Sequence, residues 1–317
     1  MDPMASTLWA TVLAGGSGLR LATVTNGVPK QFWGFAHGGT LLEATLDRLA
    51  PLVPATRTTI VVDRTHEPYI RELSHVNPAC RVLYQPCNRG TAAGILFGIL
   101  PALSSARDRV VVLTPSDHGV LDTETFRASI KEAVVRVLCG RQPLVLFGAE
   151  PSDVDDDYGW ITPDLSDRSP SAHVVQRVMG FVEKPPPEVA ATLLASGAVW
   201  NTMVVVTRAA HLLDLYRRHL PELAAIFDRA LGVSSRARPA FLQDAYRDVP
   251  DADFCRDLLM AADDLWVHVW PSALGWSDLG TPERLRAWLA QATRTAPVRH
   301  PRMPRLRAGV SIQTESA

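Results

Sequence analysis

Short apolar runs rich in Val and Ile recur along the chain, and between them the apolar residues shift to helical spacing. The runs Leu8–Leu13, Thr59–Val62, Arg81–Tyr84, Arg109–Leu113, Pro143–Phe147, Val178–Val182, Trp200–Val206 and Leu265–Trp270 predict strands. Several are apolar at consecutive rather than alternate positions, as in strands covered on both faces of a largely parallel sheet. Thr40 with Glu43 is a capping-box pattern opening a helix over Leu41–Ala50. Phe126, Ile130, Val134 and Leu138 recur at near-helical spacing. Thr281-Pro282-Glu283 reads as a cap, a proline at the first helical position and an acid in the first turn. Such alternation predicts an open α/β sheet with its ligand site at the C-terminal ends of the strands.

Composition narrows the class. The chain has 317 residues, 47% apolar and 21% charged, enough for a sizeable core and against a disordered chain. Its formal net charge of −1 creates no global field for nucleic acid or an anionic membrane, so any phosphate site must be local. The four cysteines, Cys80, Cys87, Cys139 and Cys255, form no CxxC pair, which excludes a zinc ribbon and a disulfide scaffold and fits a reducing cytoplasm. No Lys or Arg precedes Trp9, so no signal peptide is expected. The longest uncharged run, Val189 to Thr207, is broken by Ser196, Gly197 and Asn201 and reads as a helix end followed by a strand, not a membrane span. From Thr293 onward five arginines and three prolines stand against one acid, Glu315. This predicts a domain over 1–292 and a basic, poorly ordered tail over 293–317. There are 29 Arg but only 3 Lys (Lys30, Lys131 and Lys184), so each lysine attracts interest.

Chemistry-bearing motifs sit at the predicted strand ends. Leu13-Ala14-Gly15-Gly16-Ser17-Gly18-Leu19-Arg20 follows the first strand. Its glycines let backbone N–H groups approach a ligand closely, a nest suited to a phosphate chain and equally to a tight turn. It is neither a Walker A loop nor the dinucleotide fingerprint, whose third glycine would fall at Leu21. Pro29-Lys30-Gln31-Phe32 follows, and Arg20 and Lys30 can both reach anions held by the loop. Gln85-Pro86-Cys87-Asn88-Arg89-Gly90-Thr91-Ala92 opens a helix with polar groups that suit an anion, a base edge or a plain N-cap. Thr114-Pro115-Ser116-Asp117-His118 puts a carboxylate just past an apolar strand, as a Mg²⁺ ligand beside phosphates or as a turn cap. Asp278, in Gly275-Trp276-Ser277-Asp278-Leu279-Gly280, is the natural second ligand. Tyr158-Gly159-Trp160-Ile161, Phe181-Val182-Glu183-Lys184-Pro185 and Trp200-Asn201 offer an apolar wall and hydrogen-bonding groups for a sugar, although Trp160 and Trp200 suit a core equally well.

In this order, the motifs make the chain resemble the sugar-1-phosphate nucleotidylyltransferases, most of all the mannose-1-phosphate guanylyltransferase branch. The resemblance spans roughly residues 8–290. It implies a Rossmann-like, mostly parallel mixed sheet with helices on both faces, and Mg²⁺-dependent reaction of an NTP, GTP above others, with a sugar 1-phosphate, mannose 1-phosphate above others. Carried over by motif, Leu13, Ala14, Gly15, Gly16, Gly18, Gln85, Asn88, Gly90, Thr91 and Ser116 would hold the nucleotide. Arg20, Lys30 and Lys184 would act on the phosphates. Asp117, Tyr158, Gly159, Glu183 and Asn201 would surround the sugar, and Asp117 and Asp278 would bind Mg²⁺. A cytoplasmic enzyme, a homodimer, and no nucleic-acid or membrane partner complete the expectation. The chain departs from the family at Leu19, commonly Thr. It also departs at Asn88-Arg89-Gly90, commonly Gly-Arg-Asn, and at Thr202-Met203, commonly Ser-Gly. From its length, the C-terminal isomerase domain of longer relatives, and isomerase activity with it, are expected to be absent. Another sugar, another base, and a catalytically silent sugar-nucleotide-binding homologue are the alternatives.

Overall fold

The computed structural model describes residues 7–34, 39–73, 78–166 and 175–295. Its strands are β1 (Leu8–Ala14), β2 (Thr58–Asp63), β3 (Arg81–Gln85), β4 (Val110–Pro115), β5 (Leu144–Ala149), β6 (Gly159–Pro163), β7 (Val175–Glu183), β8 (Val199–Arg208) and β9 (Trp266–Trp270). Every predicted strand forms. The unforeseen one is β6, which begins at a glycine and ends at a proline, two residues that disguise a strand. The helices are α1 (Leu41–Leu49), α2 (Glu67–Leu73), α3 (Gly90–Ser105), α4 (Thr123–Leu138), α5 (Pro187–Ala195), α6 (Ala209–His219), α7 (Pro221–Gly232), α8 (Arg238–Ala245) and α9 (Pro282–Thr295).

All nine strands join one sheet in the order β3-β2-β1-β4-β8-β5-β9-β7-β6. Neighbours β3, β2, β1 and β4 are parallel, as are β5 and β9, while β7 and β8 pair antiparallel with their neighbours. Followed through these pairings, β7 and β8 run against all the others, so the sheet is mixed and mostly parallel. A further antiparallel pairing of β6 with β8 closes β8, β5, β9, β7 and β6 into a ring.

Consecutive apolar residues on the central strands feed two opposite cores. Val111 and Leu113 of β4 and Leu144 and Leu146 of β5 pack with α3, α6 and α7. Val110, Val112, Val145 and Phe147 pack with α1 and α4, which supply Leu42, Leu46, Phe126, Ile130 and Val134. The run of apolar side chains is thus the signature of burial on both faces. The capping box at Thr40 and Glu43 opens α1. Thr281 Oγ1 accepts from the Arg284 amide and opens α9, which extends to Thr295. The predicted boundary at 292 therefore falls inside a helix. Residues 296–317, most of the predicted tail, lie outside the described residues.

Candidate functional site

The loop after β1 is held open from behind by Gln31. This buried amide donates to the Ala14 and Gly16 carbonyls at 2.8 and 2.9 Å, so the N–H groups of the same two peptides, those of Gly15 and Ser17, face away from it. Gly18 takes φ +64° where the loop passes against the backbone of Lys30. Lys30 is only 8% exposed, which excludes an ordinary surface lysine. Its ammonium lies 3.0 Å from Asp117 Oδ2 and donates to the Asp278 carbonyl oxygen. Two chain segments far apart in sequence meet there because Gly119 and Ser277 exchange backbone hydrogen bonds of 2.8 and 3.1 Å. Beneath, Thr45 Oγ1 of α1 donates to the Ser116 carbonyl at 3.3 Å, and Ser116 N donates to Leu13 O at 3.0 Å.

Asp278 is the most heavily contacted carboxylate of the site. Its Oδ1 accepts from the Tyr158 hydroxyl at 2.6 Å and from Gly280 N at 3.0 Å. Arg284 in the first turn of α9 reaches both of its oxygens, at 3.3 and 3.2 Å. Burial by itself would raise this carboxyl, but the Tyr158 hydrogen bond and the charges of Arg284 and Lys30 together hold it below its usual range. His118 has the opposite fate. Burial, opposed by Asp117 and assisted by Lys30, pushes its imidazole down to about 4, so it is neutral near pH 7 and carries no countercharge. Its ring packs edge-on against Trp276, 5.4 Å between centroids.

A second group lies one residue along from Tyr158. Gly159 faces Glu183, and a Cβ there would come within 2.5 Å of Glu183 Oε2. That oxygen is buried and has no hydrogen-bond partner among the described residues. Burial, then the nearby Asp253, push the Glu183 carboxyl up, with Lys184 opposing. Ligand atoms of Glu183, Asp253 and Cys255 all lie within 4.8 Å of one another. Asn201 donates to Cys255 Sγ at 3.3 Å and accepts from Met203 N at 3.1 Å. Lys184, exposed at the end of β7, takes φ +46°, and Met203 takes φ +58°. A β-carbon in this left-handed region is sterically disfavoured, and such strain gathers at functional sites.

The structure therefore brings Lys30, Asp117 and Asp278 together at the glycine loop, and Gly159, Glu183 and Asn201 together beside it. Other expected site residues already have protein partners. Arg20 pairs with Asp157 at 3.1 Å. Tyr158 bonds Asp278 and stacks on Trp200 at 4.6 Å. Thr91 Oγ1 donates to Asp253 Oδ2 at 3.0 Å and accepts from Phe254 N. Asn88 Oδ1 accepts from Gly90 N, and Gln85 donates to the Tyr246 hydroxyl at 3.2 Å. Trp160 and Trp200 belong to a small apolar core with Tyr158. Gln31, Arg284, Asp253 and Cys255 escaped the sequence reading. Gln31 stood inside a quoted motif and Arg284 directly after the Thr281-Pro282-Glu283 cap, which carries no sign of the site, while Asp253 and Cys255 reach it from a segment with no recognised pattern.

The nucleotidyl transferase family profile matches residues 9–295. The alginate biosynthesis protein AlgA of Pseudomonas fluorescens is 30% identical over 279 residues, covering 85% of this chain and 56% of its own. A mannose-1-phosphate guanylyltransferase of Escherichia coli K12 is 28% identical over 284 residues, covering 87% of this chain and 58% of its own. The chain thus spans somewhat more than half the length of these relatives. A Thermus thermophilus crystal structure, described as a mannose-1-phosphate geranyltransferase, superposes with a TM-score of 0.77 at 31% identity, over 90% of this chain and 80% of the other. With the glycine loop after β1 and the Lys30–Asp117–Asp278 cluster beside it, these matches make the chain a member of the nucleotidyl transferase family.

Proposed function

We propose that the protein transfers a nucleotidyl group from an NTP, GTP above others, to a sugar 1-phosphate, mannose 1-phosphate above others. The products are the NDP-sugar, GDP-mannose for that pair, and pyrophosphate. The observation that carries this reading is the buried Lys30 joining Asp117 and Asp278 beside a glycine loop braced from behind. The guanylyltransferase name of a relative at 28% identity supports the choice of base and sugar.

In this reading a sugar-phosphate oxygen attacks the α-phosphorus in line, and pyrophosphate leaves from the opposite side. The loop amides of Gly15, Gly16 and Gly18 receive the phosphates. Lys30 neutralises phosphate charge, and Arg20 joins it after leaving Asp157. Lys184 holds the sugar phosphate, while the free Glu183 oxygen accepts from a sugar hydroxyl. A sugar phosphate is already ionised at pH 7, so no general base is needed, and burial, which pushes the His118 imidazole down to about 4, leaves it a weak base. Positioning and charge stabilisation dominate such chemistry.

Asp117 and Asp278 would hold Mg²⁺. Their oxygens are hard donors suited to it, and each carboxylate already draws a cationic side chain, which marks the position as one that favours positive charge. Bound there, the ion would supply charge neutralisation at the α-phosphate. Among the described residues no helix is long and apolar enough to cross a membrane.

The test is pyrophosphate release with Mg²⁺ over a grid of NTPs against sugar 1-phosphates. A maximum at GTP with mannose 1-phosphate supports the full reading. A maximum elsewhere keeps the chemistry and moves the specificity. Silence across the grid with nucleotide still bound replaces it with a sugar-nucleotide-binding homologue.

A further inference from the structure

Arg284 stands where local electrostatics disfavours it. Thr281 caps α9, so Arg284 occupies the third helical position, where a glutamate or glutamine would complete a capping box. The positive end of a helix also repels a cation in its first turn. What holds the guanidinium there is tertiary. Nη1 reaches the Asp278 carboxylate, Nη2 pairs with Asp155 and lies 3.8 Å from Asp157 Oδ2, and the group stacks 4.4 Å above the Tyr158 ring. Its side chain is only 19% exposed, so water screens it weakly.

Asp278 does not need Arg284 for its orientation. The Tyr158 hydroxyl and the Gly280 amide already fix Oδ1, at 2.6 and 3.0 Å. Among the described residues, Oδ2 accepts a hydrogen bond from Arg284 alone, at 3.2 Å. Arg284 thus sits on the oxygen left open for a cation, with a second anionic partner at Asp155 and a third within reach at Asp157.

We propose that Arg284 sets the divalent-cation affinity of the Asp117–Asp278 pair, as a resident countercharge that an incoming cation displaces toward Asp155 and Asp157. The inference rests on the reading of Asp117 and Asp278 as the cation's carboxylates. A fixed positive charge a few ångströms from a divalent ion opposes its binding, and this outweighs the lost hydrogen bonds because Oδ1 keeps two other donors. Free metal is then bound weakly, and metal carried in on a triphosphate, whose own charge offsets the guanidinium, is favoured.

The test is calorimetric titration of the protein with Mn²⁺ alone, without nucleotide. Arg284→Gln, which removes the charge, should bind Mn²⁺ about tenfold tighter or more than wild type. Arg284→Lys, which keeps the charge, should stay within about threefold of wild type. A folded Arg284→Gln protein that binds Mn²⁺ no tighter than wild type overturns the proposal. Should Arg284→Gln fail to fold, Asp155→Asn supplies the second measurement. It removes the charge that shares the guanidinium, so Mn²⁺ binding should weaken about tenfold, and unchanged binding overturns the proposal. Mn²⁺ binding that survives Asp278→Asn undiminished removes the carboxylate assignment and the proposal with it. The expected Mn²⁺ shifts combined with silence on the substrate grid leave the proposal standing and overturn only the proposed reaction.

Discussion

Around Lys30 every carboxylate has a cation beside it: Asp117 has Lys30, and Asp278 has Arg284. Around Cys255 the carboxylates are treated differently. Glu183 and Asp253 crowd a buried thiol, one Glu183 oxygen has no partner among the described residues, and burial raises both the Glu183 carboxyl and the Cys255 thiol. Tyr158 and Gly159, adjacent in the chain, join the two ends, one bonding Asp278 and the other facing Glu183. The first end balances charge with charge, as a polyphosphate and its metal require. The second leaves one buried Glu183 oxygen without a partner among the described residues, which suits a neutral hydroxyl donor, since an unmade buried hydrogen bond is costly until a ligand supplies it. In the proposed reaction the first end would take the charged half of the substrates and the second the hydroxyls of the sugar.

The sharpest test of that division is at the charged end. Asp117→Ala and Asp278→Ala should each lower the turnover number about a thousandfold or more, measured by pyrophosphate release, with near-UV circular dichroism unchanged. If either variant loses only sugar-phosphate affinity, the two ends are not separate.

The next effect concerns pH. His118 titrates near 4 in the folded chain, whereas an unfolded histidine titrates near about 6.5. Between those values the unfolded chain binds the extra proton, so stability rises with pH and falls on acidification. Urea unfolding should therefore lose about 3 kcal/mol between pH 7 and pH 4 through this residue, and His118→Gln should remove that part of the slope. The depressed Asp278 carboxyl acts at lower pH. Its stabilisation is present above the unfolded carboxylate range and is lost as pH falls through its folded value.

Gly90→Ala probes a backbone position packed against the segment that carries the hydroxyl end. Gly90 takes φ +78°, and a Cβ there would lie 2.2 Å from the Ala252 carbonyl oxygen, on the segment that carries Asp253 and Cys255. The variant should lose about 2 kcal/mol or more in thermal unfolding. Its residual activity should fall through sugar-phosphate KM more than through NTP KM, because the displaced segment belongs to the hydroxyl end. Lys184→Ala should give the smallest effect, a rise of about tenfold in sugar-phosphate KM with NTP KM unchanged. A matching rise in NTP KM would move Lys184 to the charged end.

The fold was legible because its strands are buried on both faces, and unbroken apolar runs such as Val110–Leu113 carry that signal without any knowledge of neighbours. β6 was not, because Gly159 and Pro163 mask a strand that only its pairings with β7 and β8 create. Within the site, local motifs pointed to Lys30, Asp117 and Asp278. They could not show that the Asn201 amide would turn to Cys255 and Met203, nor that Thr91 would bind Asp253.

The sequence by itself determined the glycine loop after β1, the charged residues at the strand ends and the helix caps, since each depends on neighbours a few positions away. Tertiary structure alone decided which charges meet. Arg284 approaches Asp155 across 129 positions and Lys30 approaches Asp278 across 248, and no short-range pattern encodes such distances. Those meetings come from packing the chain over both faces of one sheet, where burial rather than sequence spacing chooses the partners.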